Sequence, residues 1–159
     1  VEAMSVAENV ALGTGCAKRS GLISWREVRR RAEAALELID LQVDPDTLLA
    51  DLTRADRSLV AIARALSTQA PILVLDEPTA SLPAADSRRL FEVLYRLRDA
   101  GHGMIYVSHR LDEVFEISDT VTVFRDGRLI HTGGIADKSP AELVVDIVGS
   151  TSSTTTTSP

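Results

Sequence analysis

Cysteine is nearly absent from this 159-residue chain: Cys16 is its one thiol. That excludes an internal disulfide and fits a reducing compartment, and Cys16 itself reads as a small loop residue. An excess of positive charge is missing too, because 17 Lys and Arg face 23 Asp and Glu for a net charge of −6. Nothing therefore marks a nucleic acid or an anionic membrane surface as a partner. No apolar run approaches the roughly 18 residues that a membrane-spanning helix requires. No charged-then-apolar leader opens the chain, so no secretion signal is expected. A phosphate-cradling G-x-x-x-x-G-K-[ST] run is also lacking. The nearest imitation, GTGCAKRS at 13–20, has the wrong spacing, follows no strand, and reads as a flexible loop. The chain starts at Val1 rather than Met and is expected to be a fragment.

What is present is a globular composition, 45% hydrophobic and 25% charged. SWREVRRRAEAALELIDL opens with Ser24 and Glu27 at capping-box spacing. Ile23 and Val28 stand where a hydrophobic staple would. Val28, Ala32, Ala35, Leu36 and Ile39 share one helical face, and Arg26, Arg29 and Arg30, with Glu33, take the other, read as a solvated face. Pro45 breaks the pattern, and a second helix places Leu59, Ile62, Ala63 and Leu66 in register. ILVL at 72–75 is a continuous apolar run, as in a strand covered on both faces of a parallel sheet. A helix with Leu90, Leu94 and Leu97 follows and ends at Gly101. MIYVS is a second such strand, and the alternation argues for a doubly wound α/β sheet. TVTVFRDGRLIHTG reads as a hairpin turning at Asp126-Gly127. SPAELVVDIV reads as a helix capped by Ser139, with Pro140 first and Glu142 completing the box. The tail STSSTTTTSP offers nothing apolar to bury and is expected to be disordered.

Chemistry concentrates in ILVLDEPTASL. Sites in parallel α/β sheets form beyond the carboxyl ends of the strands, where Asp76 and Glu77 stand. Alternation along an extended chain points the two carboxylates different ways. Pro78 is expected to press Glu77 toward the extended region. One carboxylate can then serve a hard cation such as Mg²⁺ and the other a hydrolytic water, the division of labour that phosphoryl transfer needs. His109 ends the other apolar strand, and if the two strands are neighbours it can face the same crevice as Glu77. His102 and His131 receive no role.

On these residues the chain resembles the ATPase domains of ABC transporters. LVLDEPTASL is similar to their Walker B segment and D-loop, and MIYVSHRLDEV to their switch-histidine segment. LTRADRSLVAIARAL at 52–66 is similar to their signature segment, and Asp76 follows Leu52 by 24 residues, the spacing of that family. SVAENVALG, the arginine-rich helix and SPAELVVDIVG narrow the resemblance to the first ATPase half of ribose, galactose and xylose importers. It implies an α/β, P-loop NTPase-like fold with an α-helical subdomain, here without the N-terminal P-loop portion. Residues 1–149 would be the partial domain, with the helical subdomain at about 1–67, the catalytic core at about 68–149 and the tail at 150–159.

The resemblance further implies ATP and Mg²⁺ as cofactors. Asp76 would hold Mg²⁺ through water, Glu77 would be the general base, and His109 would touch the γ-phosphate. Thr79 to Pro83, with Ser81, would form the D-loop. Thr53, Arg54, Ala55 and Asp56 would meet the ATP of an opposing domain, although Arg54-Ala55-Asp56 stands where the family has Gly-Gly-Gln. Pro83 likewise stands where many relatives have aspartate. Implied partners are a second ABC ATPase domain, transmembrane permease subunits and, indirectly, a sugar-binding protein, with no nucleic acid. The implied place is the cytoplasmic face of a bacterial membrane. The implied function is ATP hydrolysis energising sugar import, with this fragment inactive alone. The alternatives are a soluble ABC ATPase acting on DNA or ribosomes, and a non-enzymatic, degenerate interaction module.

Overall fold

Apolar residues at helical spacing become helices in the first of two compact units, Val1–Val107; the second starts at Ser108. The computed structural model describes residues 1–14, 18–19 and 22–149. The expectations for Cys16 and for the 150–159 tail lie outside the described residues. Three helices lead the first unit: α1 (Val6–Thr14), α2 (Trp25–Leu38) and α3 (Arg54–Ser67). Val28, Ala32, Ala35, Leu36 and Ile39 are all buried, as are Leu59, Ile62, Ala63 and Leu66. Each buried aliphatic side chain of Val, Leu or Ile size contributes about 1.5–3 kcal/mol. The loop expected at 13–20 is corrected at its start, where Gly13 and Thr14 finish α1. A Cβ at Gly13 would stand 2.6 Å from the Arg64 carbonyl oxygen, so only a hydrogen lets α1 come this close to α3. Lys18–Arg19 (β1) and Leu22–Ile23 (β2) pair antiparallel.

The capping box expected at Ser24 does not form, because the Ser24 side chain makes no cap hydrogen bond. Glu27 instead accepts from Arg30 Nη2 at 2.7 Å and Arg31 Nε at 2.9 Å. Two guanidinium groups outcompete one backbone N–H, and they hold the Glu27 carboxyl at about 2. Ile23 is exposed while Val28 is buried, so the expected staple is not closed either. The arginine face is more than solvated. Arg29 bonds Glu33 at 3.0 Å and Asp44 at 3.2 Å, and also pairs with Asp46, which ties α2 to the turn around Pro45.

Strand β3 (Ile72–Asp76) pairs in parallel with β4 (Gly103–Val107), from Ile72 opposite Gly103 to Asp76 opposite Val107. Helix α4 (Ala84–Asp99) connects them and ends, as expected, with Gly101 at positive φ donating to the Arg98 carbonyl at 2.8 Å. Leu73, Leu75, Leu90, Phe91, Leu94 and Leu97 are buried, and Phe91 meets Tyr106 edge-on at 6.3 Å. The expectation of two covered faces is corrected: Ile72, Val74, Ile105 and Val107 are exposed. A continuous apolar run has no alternation to reveal that only one face is covered.

The second unit comprises α5 (Leu111–Ile117), β5 (Thr120–Arg125), β6 (Arg128–Gly134) and α6 (Pro140–Val148). Val114, Val121, Val123 and Leu143 form its core, with Leu111, Phe115 and Ile135 against them. The hairpin turns at Asp126-Gly127, with φ of 51° and 72°, the left-handed pair that a tight two-residue turn needs. At α6 the expected capping box is complete: Ser139 Oγ accepts the Glu142 N–H at 3.3 Å, and the Ser139 N–H donates to Glu142 Oε2 at 2.8 Å.

Candidate functional site

Asp76 closes β3 and Glu77 follows it, both exposed. Glu77 departs from the expected extended conformation, with φ at +43°. Its N–H donates to the Val107 carbonyl at 2.9 Å, so pairing with β4 continues one residue past the strand and then stops. Proline permits this because the tie to Val107 outweighs its local preference, at a strain of about 1–3 kcal/mol. The turn that follows is knotted tightly, with the Ala80 N–H on the Glu77 carbonyl at 3.2 Å and the Leu82 N–H on the Thr79 carbonyl at 2.9 Å. Thr79 is buried, and its Oγ1 lies 3.4 Å from the Tyr106 hydroxyl. Ser81 is exposed on the same turn. Tyr106 is a residue that sequence reasoning missed. Its signal was weak, one polar atom within an apolar strand.

The second candidate region is the N-terminus of α3. Thr53 is the N-cap, and its Oγ1 accepts the Asp56 N–H at 3.1 Å. The same hydroxyl donates to Asp56 Oδ2 at 2.8 Å. The other carboxylate oxygen, Oδ1, accepts from Arg89 Nη1 of α4 at 2.8 Å. Ala55 is buried, so its methyl group turns into the core, whereas Arg54 is exposed. Arg57 laces the preceding turn to the helix, donating to the carbonyls of Leu52 at 3.0 Å and Ala50 at 2.7 Å and to Glu2 at 2.8 Å. Neither Arg57 nor Arg89 was singled out from the sequence, because their partners are set by packing between segments.

His109 lies in the second unit and is exposed. The condition placed on it is met in part: β3 and β4 are neighbours, and His109 comes two residues after Val107. Its segment is organised by Glu113, which is buried and accepts from Ser108 Oγ at 3.4 Å. Arg110 Nη1 lies 2.8 Å from Glu113 Oε1 as an ion pair. Glu113 is a further residue that sequence reasoning missed.

Among the described residues no cluster of three or more His, Cys, Asp or Glu side chains forms a metal cage. Mg²⁺ asks for less: it keeps several waters and takes one or two carboxylates plus phosphate oxygens. An exposed Asp76 at a strand end fits that demand. Among the described residues no helix is long and apolar enough to cross a membrane.

The family model described as ABC transporter matches residues 1–80. The chain is 42% identical over 146 residues to the ribose import ATP-binding protein RbsA 1 of Agrobacterium fabrum, covering 92% of this chain and 29% of that protein. It is 44% identical to a putative ribose/galactose/methyl galactoside import ATP-binding protein of Burkholderia ambifaria, again over 92% of this chain and 28% of that one. The chain thus spans under a third of the length of these relatives. Among solved structures, a nucleotide-free ATP-binding cassette from an ABC transporter superposes with a TM-score of 0.72 at 26% identity, over 84% of this chain and 56% of that chain. Another cassette, in its ADP conformation, gives 0.74 at 25% identity, over 94% and 64%. The fold is accordingly the α/β, P-loop NTPase-like fold of these cassettes.

Proposed function

Because the chain belongs to the ABC transporter family, we propose that it forms the catalytic-strand portion of an ATPase that energises sugar import. The observation that carries this reading is the Asp76-Glu77 pair. It stands at the carboxyl end of a parallel strand, with Glu77 held at φ +43° by its tie to β4. The relatives, named as ribose and ribose/galactose/methyl galactoside import proteins, support the sugar.

When bound, ATP would supply the phosphoryl group and Mg²⁺ the positive charge that neutralises its phosphates. Asp76 would hold Mg²⁺ through its water shell with a carboxylate oxygen. Glu77 orients the attacking water and takes its proton on a carboxylate oxygen. His109 donates a hydrogen bond to the γ-phosphate, and the turn from Thr79 to Pro83, with Ser81, passes the state of one site to the other. Thr53 to Asp56 face the ATP of an opposing domain. The partners are that second ATPase domain, permease subunits and a sugar-binding protein, at the cytoplasmic face of the membrane. The helical layer at about 1–67 and the catalytic core at about 68–149 are its two working parts.

Two measurements test this. Glu77→Gln in the full-length protein should lower turnover by about 10²–10⁴-fold with ATP binding kept, while Asp76→Asn should weaken Mg²⁺-dependent binding. An unchanged rate in Glu77→Gln would overturn the assignment of the base. Residues 1–159 alone, lacking the phosphate cradle, should show no low-micromolar MgATP binding by isothermal titration.

A further inference from the structure

The acidic residue in the signature segment is balanced from a different helix. Asp56 has both carboxylate oxygens engaged: Oδ2 by the Thr53 hydroxyl at 2.8 Å and Oδ1 by Arg89 at 2.8 Å. Its side chain is only 16% exposed, so its charge is partly desolvated and an unpaired carboxylate there would be costly. It would also repel a triphosphate arriving at this end of α3. Arg57, one residue on, is committed to Leu52, Ala50 and Glu2. Arg89 stands 33 residues away in sequence, on the helix that follows the Thr79–Pro83 turn.

We propose that Arg89 is a positioning residue for the signature segment: by neutralising Asp56 and holding its carboxylate against Thr53, it keeps an acidic signature compatible with the triphosphate of an opposing domain. This rests on the reading of Thr53 to Asp56 under Proposed function. Thr53 reaches phosphate by releasing its proton contact with Asp56, and the Arg89 charge makes that release possible without leaving Asp56 uncompensated.

The test is MgATP titration of the full-length protein, resolving its two sites, in Arg89→Ala, Asp56→Asn, the double variant and Arg89→Lys. Arg89→Ala should weaken one of the two sites about three- to tenfold, the scale of one uncompensated charge near a protein surface. The other site should be unmoved. Asp56→Asn on its own sets the reference level, and the double variant should bind no more weakly than Asp56→Asn, because the carboxylate that needed neutralising is gone. Arg89→Lys keeps the charge and should recover most of the binding lost in Arg89→Ala, and thermal melts of each variant separate this from unfolding. If Arg89→Ala weakens binding as much in the Asp56→Asn background as in the parent, Arg89 is a helix clamp only and the proposal is overturned, as it is by parent-like binding of Arg89→Ala. Thr53→Val separates the underlying reading: if it leaves both sites unchanged, the signature does not serve ATP. If Thr53→Val weakens one site and Arg89→Ala does not, that reading stands and the Arg89 proposal falls.

Discussion

The start of α3 and the end of β3 both present acidic side chains, yet they treat them in opposite ways. At α3, Asp56 is partly covered, caps its own helix through Thr53 and is neutralised by Arg89. At β3, Asp76 and Glu77 are exposed and the backbone at Glu77 is held in a left-handed conformation. One region spends its polar groups on the fold, whereas the other holds carboxylates outward at a cost in strain. On the proposed function, that difference separates a surface that receives another domain's ligand from one that does chemistry.

The largest expected effect pits the two regions directly. With the bases of the two domains removed one at a time, Glu77→Gln should abolish nearly all hydrolysis. Removing its counterpart should leave most of it if the site served by this altered signature binds ATP but turns it over poorly. Equal losses of the about 10²-fold or greater size expected for a general base would rule the asymmetry out.

A smaller effect concerns the closed region. Thr53→Ala should destabilise residues 1–159 by about 0.5–2 kcal/mol through loss of the α3 cap, and Thr53→Ser should restore most of it. Urea unfolding reads both, and an unchanged midpoint for Thr53→Ala would mean that the cap contributes nothing. The open region should respond in the reverse sense. Glu77→Gly relieves the positive φ and should be more stable than Glu77→Ala in the same experiment, by about 1 kcal/mol or more. No difference between the two would show that the backbone there carries no strain.

The smallest effect lies away from both regions. Glu27 titrates at about 2 against its ordinary 4.5, held down by hydrogen bonds from Arg30 and Arg31. Asp146 is lowered by Lys138, and Glu142 by its bonds to Ser139. Folded values below the ordinary ones mean stability that is present above about pH 4.5 and lost as pH falls toward 2. These groups are on the surface, so the effect is modest and screened by salt. Thermal midpoints from pH 7 to pH 3 should fall less steeply in Glu27→Gln than in the parent; parallel curves would show that the arginine pairs add nothing.

Sequence by itself determined which segments become helices and strands, because periodicity and local turn chemistry act within a few residues. The buried faces of α2 and α3, the β3–α4–β4 order, the hairpin at Asp126-Gly127 and the capping box at Ser139 were all legible that way. So was the position of Asp76 and Glu77 at the end of a strand. Tertiary structure alone decided what competing partners do. Ser24 and Ser139 carry the same S-x-x-E spacing, yet Glu142 closes its box while Glu27 is taken by two arginines. It also decided that β3 leaves one face open, that Val107 fixes Glu77 at positive φ, and that Arg89 reaches Asp56 from another helix. The physical reason is common to all of these. A hydrogen bond or ion pair goes to the partner that packing brings nearest, and packing joins residues that sequence spacing keeps apart.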